Sequence, residues 1–432
     1  MKCNLIDIEK GKNKMESTKE YSENIKSYLK SFIKWIIVAG VTGAVGGFIG
    51  GIFHRLIEFA TEFRGENPQI IYFLPLAGLI IVFLYRIMGL KKDPGTNVVL
   101  LSVAKEEKVP LAMSPLIFIS TIITHLFGGS AGREGAALQL GGSLAYSIGR
   151  ILKLDEKDMH TIVLCGMSAV FSALFCTPVT AAVFAMEVVS IGVMFYSAIV
   201  PCMLASFVAC IISMALGNHA VAYTITSIPG FNIEIIVKVA VVALFCGLFS
   251  IVECVVMKRT HKLLDKKIPN PYIRVLVGGV LVVILTLIVG NNEYNGAGMN
   301  VIERVINGEV IWYAFILKLI FTAITIGSGF KGGEIVPTFF IGATLGSLIG
   351  SLIGLDSGFA AAVGLICMFC GVVNCPLASI ILSVELFGAQ GLAMFAIGCA
   401  VSYMMSGNYG LYSSQKIIYS KIKDEYIDKS AN

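Results

Sequence analysis

A glycine-rich segment with two adjacent charges, GGSAGREGA at 128–136, is the part of the sequence best suited to chemistry. It follows one apolar stretch and opens another, so Arg133 and Glu134 are expected at membrane depth. An ionised acid in mid-bilayer costs about 2.5–3.5 kcal/mol even on the mildest scale, so it must be paired, face water or be neutral for part of its working life. This favours a proton carrier at Glu134. The alternative is an Arg133–Glu134 ion pair that only fixes the loop.

A second glycine-rich segment, GSGFKGGEIVP, ends at Pro337. Glycines before a helix start leave backbone N–H groups available, and a proline suits the first helical turn. The N–H groups of Ile335 and Val336 are therefore the expected donors to an anion. Lys331 and Glu334 could pair at the membrane edge.

Two shorter segments add weaker candidates. In GTNVV, which begins at Gly95, Thr96 and Asn97 carry small polar side chains that suit a helix N-terminus directed at an anion. An ordinary helix cap is the alternative there. Tyr412 lies near the end of the apolar sequence, where its hydroxyl could contact an anion. A tyrosine at the membrane interface is the alternative.

The composition predicts the elements that must position these residues. Of 432 residues, 56% are hydrophobic and 14% are charged, and the mean hydropathy is +0.82. Soluble domains carry about 25% charged residues. The chain therefore reads as an all-α polytopic membrane protein rather than a soluble enzyme, a nucleic-acid binder, a disordered scaffold or a disulfide-rich secreted domain. The small net charge of +5 fits basic cytoplasmic loops.

About twenty apolar residues can cross a bilayer as a helix. The sequence holds six clear candidates: 35–53, 70–89, 195–216, 235–257, 273–290 and 311–329. Shorter pieces, several broken by Gly or Pro, lie between and after them: 112–127, 135–149, 161–176, 179–194, 335–354, 358–373, 377–388 and 391–406. Broken helices are tolerated in a membrane only where protein or a polar cavity satisfies the freed backbone groups.

Lysine and arginine predict the orientation of the chain. They are frequent in the N-terminal arm, in 258–274 and in the tail, so all three are expected in the cytoplasm of a cell-membrane protein. The start of the chain does not resemble a cleavable signal peptide, because no apolar run lies near it.

An internal repeat divides the chain into two halves. An offset of 201 aligns Thr121, Gly128, Gly132 and Gly141 with identical residues further on, and an offset of 198 aligns CTPV-x8-E with NCPL-x8-E. The expected division is an arm at 1–30, repeats at 31–230 and 231–412, and a short tail at 413–432. Broken helices of such halves often meet near the midplane around the substrate, where converging helix N-termini form an anion site.

Other chemistry is less favoured by the residues. Ser130 matches G-x-S-x-G, but its flanks are transmembrane helices rather than the strand and helix of a nucleophile elbow. Cys367 and Cys370 form an isolated CxxC without a second ligand pair, so buried packing is the better reading. His125 is the one deep histidine to consider for an enzyme, and no aspartate lies near it in sequence. No enzyme activity, cofactor or metal is expected.

Taken together, the segments resemble the CLC family of anion channels and proton-coupled anion antiporters over about 33–420. GREG is present at 132–135, and the spacing of GGxxxP at 332–337. The resemblance implies a homodimer with one pore in each subunit and an inverted repeat of many tilted, partly broken helices. It implies that Glu134 is the gating, proton-carrying glutamate, that Ile335 and Val336 are backbone donors, and that Tyr412 is the central tyrosine. The supporting motif residues are Gly132, Arg133, Gly135, Gly332, Gly333 and Pro337.

Departures from the family pattern bear on the anion. Thr96 and Asn97 replace the serine and second glycine of GSGIP, and the resulting GTNVV resembles the GNNLI-type element of the fluoride-exporting branch. Ala136 replaces the proline of GREGP, and Val188 stands where coupled chloride members often carry an inner glutamate. The KGGE that ends at Glu334 also resembles the fluoride branch. The expected function is fluoride/proton antiport, with a chloride-selective CLC channel or antiporter as the alternative. The expected partners are a small inorganic anion, protons, membrane lipid and a second copy of the chain, and no nucleic acid.

Overall fold

The computed structural model describes residues 2–90, 95–105, 107–423 and 425–431, with side chains from residue 23 onward. Within these ranges the chain forms sixteen α helices: α1 Lys2–Glu66, α2 Leu74–Ile87, α3 Thr96–Lys105, α4 Met113–Leu126, α5 Glu134–Ile151, α6 Glu156–Phe175, α7 Pro178–Glu187, α8 Ile199–Ala215, α9 Ile233–Lys267, α10 Pro271–Val289, α11 Met299–Ile306, α12 Ala314–Ser328, α13 Ile335–Leu352, α14 Ser357–Val373, α15 Pro376–Phe387 and α16 Leu392–Met405.

Seven helical segments of the described chain are long and apolar enough to cross a membrane, and seven more are shorter apolar helices. The breaks lie where the sequence predicts them. Pro178 and Pro376 stand at the first turn of α7 and α15, where a missing N–H costs nothing. The preceding helices end at Cys176 and Asn374, both in the left-handed conformation (φ of 52° and 59°) and both equivalent under the offset of 198.

Glycines let the long broken helices pack closely. A Cβ atom on Gly141 of α5 would lie 2.1 Å from the carbonyl oxygen of Gly166 of α6. A Cβ on Gly342 of α13 would lie 2.5 Å from the carbonyl oxygen of Gly364 of α14. Both pairs therefore need glycine, and the repeat offsets equate one pair with the other. Each pair contains one helix, α5 or α13, whose first residues are buried inside the protein.

Both ends of the described chain contain regular secondary structure. The predicted boundary at residue 30 falls inside α1, which continues without a break into the first membrane helix. Beyond α16, two strands, β2 Lys416–Tyr419 and β3 Tyr426–Ser430, form an antiparallel pair, and β2 also runs parallel to β1 Ser190–Ile191. Neither this small sheet nor α11 was predicted from the sequence.

Candidate functional site

The two glycine loops pair with each other. The N–H of Gly132 donates to the carbonyl of Gly333 and the N–H of Gly333 donates to the carbonyl of Gly132, each at 2.7 Å. The offset of 201 equates these two residues. A Cβ on Gly333 would lie 2.6 Å from the nitrogen of Gly135 and 2.7 Å from that of Glu134, so only glycine fits. The pairing sets the first turns of α5 and α13 against one another.

Glu134 is the first residue of α5, and its side chain is fully buried. Its Oε2 accepts hydrogen bonds from the backbone N–H of Arg133 at 3.0 Å and of Val336 at 3.2 Å. The Arg133 Nε lies 3.8 Å from Oε1, which has no hydrogen-bond partner among the described residues. The carboxylate therefore occupies the N-terminus of α13, a position that favours anions.

The backbone N–H groups at the start of α13 donate no hydrogen bond to the side chain of the N-cap residue. Glu334 is the N-cap residue and its side chain makes no capping hydrogen bond, while Ile335 and Val336 are the first two helical residues. Pro337 follows and has no N–H to offer. A Cβ on Gly132 would lie 2.4 Å from the Glu134 Oε2 and 3.2 Å from the Val336 nitrogen, so this glycine leaves the space that the carboxylate fills.

A third helix start joins the same place. The Thr96 hydroxyl, at the first residue of α3, donates to the carbonyl of Gly135 at 3.2 Å. It also accepts a hydrogen bond from the Gln139 Nε2 at 3.2 Å. Gln139 was not among the predicted site residues, although an amide inside the apolar run 135–149 was an available signal. Its Oε1 has no hydrogen-bond partner in the described part of the chain.

Asn97 and Tyr412 complete this end of the site. The Asn97 Oδ1 accepts from both the backbone N–H and the hydroxyl of Ser414, at 3.0 and 2.8 Å, which leaves the Nδ2 donors as the side that a ligand can use. Tyr412 is only 2% exposed, so it is not an interface tyrosine. Its phenolic O–H group can donate a hydrogen bond to an anion.

A cavity of about 1530 Å³ opens from these residues. Thr96, Asn97, Gln139, Glu334 and Tyr412 contribute to its lining. Elsewhere its walls carry basic side chains: Arg86, Lys258, Lys262, Arg274 and Lys331. A cavity lined mainly by one sign of charge concentrates ions of the opposite sign. The cavity is therefore an electropositive approach to the three helix starts.

Glu334 differs from its prediction. The sequence suggested an ion pair with Lys331, but among the described residues the cation that acts on Glu334 is Lys258 of α9. The Lys331 ammonium lies 4.6 Å from the centre of the Tyr85 ring. Glu334 therefore lines the cavity without a direct ion pair to Lys331. It interacts electrostatically with Tyr412.

Comparison with known proteins identifies the family. The family description "voltage gated chloride channel", which denotes the CLC proteins, matches residues 77–407. The chain belongs to the CLC family. A protein of Pseudomonas syringae pv. tomato named chloride/fluoride channel protein is 34% identical over 372 residues, which are 84% of this chain and 82% of that protein.

Two solved structures share the architecture. The crystal structure of a CLC-type fluoride/proton antiporter has a TM-score of 0.85 and 34% identity, covering 89% of this chain and 98% of its own. A slow cyanobacterial Cl⁻/H⁺ antiporter has a TM-score of 0.74 at 17% identity, covering 86% of this chain and 94% of its own, and so shares the fold alone. The predicted fold class, an all-α polytopic CLC protein, is confirmed.

The repeated Pro-x8-Glu helices of this CLC protein have a structural explanation. The Glu187 carboxylate at the end of α7 accepts from the N–H groups of Leu377 and Ala378 at the start of α15, at 3.2 and 2.8 Å. The Glu385 carboxylate of α15 accepts from the N–H groups of Val179 and Thr180 in α7, at 3.0 and 2.8 Å. Each helix thus caps the other, which explains a glutamate at this spacing in both halves.

Proposed function

We propose that this CLC protein is a fluoride/proton antiporter that exports fluoride, with Glu134 as its gate and proton carrier. The supporting observation is the Glu134 carboxylate on the N–H of Val336. An anion that binds at the start of α13 must displace this carboxylate. Protonation removes the negative charge that holds Glu134 there, so anion entry and proton uptake are linked.

The proposed anion site uses N–H and O–H donors. The backbone N–H groups of Ile335 and Val336 supply the helix N-terminus, and the Asn97 amide and the Tyr412 hydroxyl add side-chain donors. The Thr96 hydroxyl joins them when it turns away from the carbonyl of Gly135. Fluoride is small and strongly hydrated, so its site needs many donors to replace water. The preference for fluoride is supported by Asn97 and by the 34% identity to an antiporter described as fluoride/proton.

Chloride selectivity is the second candidate. The chain is also 34% identical to a relative whose name includes chloride as well as fluoride. Against coupled chloride transport, Val188 is a fully buried apolar side chain where an inner proton acceptor is expected. Direct competition between the two anions in one preparation separates the candidates.

The orientation and assembly belong to the same proposal. We place the basic cavity on the cytoplasmic side of the cell membrane, because Lys258, Lys262 and Arg274 follow the positive-inside rule. Both chain ends are then cytoplasmic. The protein acts as a homodimer with one complete site in each subunit.

The test uses purified protein in liposomes, with a fluoride-selective electrode and a pH electrode outside. A fluoride gradient is expected to drive proton movement in the opposite direction, and chloride is expected to substitute poorly. Glu134→Gln is expected to lose the proton movement, whereas the control Glu309→Gln, which alters a surface ion pair with Arg304, retains it. Proton movement that persists in Glu134→Gln would falsify the role of Glu134, and equal chloride coupling would favour the second candidate.

A further inference from the structure

A second carboxylate is buried in the middle of a membrane helix. Glu253 of α9 is 2% exposed and lies in the apolar sequence SIVECVVM. Its Oε1 lies 2.5 Å from the hydroxyl oxygen of Thr338, and its Oε2 has no hydrogen-bond partner among the described residues. An ionisable group at this depth is expensive to keep unless it has a function.

The contact with Thr338 accommodates both protonation states of Glu253. The Thr338 hydroxyl has one proton but two acceptors in reach: the Glu253 Oε1, and the carbonyl of Glu334 at 3.0 Å. When Glu253 is ionised, the hydroxyl donates to it. When Glu253 is protonated, its own O–H donates to the Thr338 oxygen, and that hydroxyl turns to the Glu334 carbonyl. No heavy atom needs to move between the two states.

Glu253 lies where the wall of the cavity packs against α13. Met257 and His261 follow it at helical spacing on the same face of α9, and both line the cavity. On its other side, Thr338 belongs to the first turns of α13, the helix whose N-terminus holds the Glu134 carboxylate. Glu253 therefore connects α9, which lines the cavity, to α13, whose N-terminus holds the Glu134 carboxylate.

Glu253 and Glu334 interact as like charges. Each lies near the start of α13, and the charge of Glu334 acts on Glu253. Two close carboxylates resist being ionised together, so such a pair tends to hold one proton. Among the described residues, the titratable groups around them include Cys254, Lys258 of the cavity wall, Lys421 of the tail and Tyr412.

We propose that Glu253 is a proton-holding residue of the transport cycle, and that it supplies the inner acceptor that Val188 does not. This inference rests on the proposed antiport. In each step the carboxyl O–H of one acid gives its proton to the carboxylate of the next, the donor is left ionised, and the last transfer releases the proton to water in the cavity. Protons pass from Glu134 to the pair of Glu334 and Glu253, while the anion takes the path past Asn97.

The test compares Glu253→Gln with the wild-type protein in liposomes. The amide keeps the shape of the side chain and can still accept from Thr338, but it cannot carry a proton. Fluoride movement is expected to persist while the accompanying proton movement falls to the level of empty liposomes. The matched control is Glu187→Gln, a buried carboxylate that binds only backbone N–H groups and is expected to retain coupling.

The outcomes separate the two proposals. If wild-type protein moves fluoride without protons, the proposed antiport is wrong. If wild-type protein couples the two ions and Glu253→Gln couples them equally well, the antiport stands and the role of Glu253 is overturned.

Two further measurements keep the test decisive if Glu253→Gln folds poorly. Thr338→Ser retains the hydroxyl and is expected to couple normally, whereas Thr338→Val removes it and is expected to slow proton movement more than fluoride movement. An infrared carboxylic-acid band that responds when fluoride is added to wild-type protein is expected to change frequency in Glu253→Asp, because the shorter side chain keeps the acid but withdraws it from the Thr338 hydroxyl. An unchanged band, or equal coupling in both Thr338 variants, contradicts the proposal.

Discussion

The first glycine loop leads into Arg133 and Glu134, whereas the second carries Glu334 and Ile335 at the equivalent positions. Their backbones are paired through matching hydrogen bonds between Gly132 and Gly333. Their side chains differ. The Glu134 carboxylate of the first loop occupies the start of α13, the helix that follows the second loop. A symmetric backbone thus provides two helix starts, and an asymmetric pair of side chains makes one of them a gated anion site.

The largest effect on the pairing of the two loops is expected from Gly333→Ala. The added Cβ meets the backbone nitrogens of Glu134 and Gly135 at 2.7 and 2.6 Å, and backbone atoms at this point cannot move without separating the loops. We expect the variant to fail to give monodisperse protein in size-exclusion chromatography. If the variant is recovered at the wild-type yield and melting temperature, the paired backbones can separate enough to accommodate the added Cβ atom.

Gly132→Ala makes the equivalent change in the other loop, with a different result. Here the nearest atom to the added Cβ, at 2.4 Å, is the mobile end of the Glu134 side chain. We expect folded protein in which the carboxylate is displaced from Val336, so that fluoride passes with less accompanying proton movement. Normal coupling, measured with paired fluoride and pH electrodes, would contradict this account of the gate.

The reciprocal caps predict equal effects in the two halves. Glu187→Ala and Glu385→Ala each remove a carboxylate that accepts two backbone N–H groups. We expect each to lower the free energy of unfolding by about 2 kcal/mol, because hydrogen bonds to charged groups are worth about 1.5–3 kcal/mol. Thermal unfolding in detergent checks this. A large effect at one glutamate and none at the other would mean that the caps are not equivalent.

The smallest effect is expected at Thr96. Thr96→Val keeps the shape of the side chain but removes the hydrogen bonds to Gly135 and from Gln139. We expect the free energy of unfolding to fall by about 1 kcal/mol, because, among the described residues, the Thr96 side chain hydrogen-bonds only to α5. We also expect a weaker apparent affinity for fluoride. Concentration-dependent fluoride flux checks the second part. An unchanged apparent affinity would remove Thr96 from the set of anion donors.

Much of the fold could be predicted because its signals are local. Apolar run lengths, Gly and Pro breaks and the repeated motifs predicted helix ends within a few residues for most segments; for α14, 358–373 was predicted and 357–373 observed. An exception is α7, for which 179–194 was predicted and 178–187 observed. The contact of Glu134 with Val336 joins residues 202 positions apart, and only the repeat suggested that their helix starts meet. Gln139 and Glu253 were missed because their importance depends on neighbours distant in sequence. The division into halves at residue 230 stays a prediction.

The exchange of caps between α7 and α15 has a consequence for how such a chain could arise. Each half lacks the acceptor for its own helix start and carries the acceptor for the other. A gene encoding one half would therefore leave a helix end and a carboxylate without partners, unless a second copy packed against the first as the other half does now. The reciprocal caps are what two identical ancestral chains would have exchanged before duplication and fusion joined them.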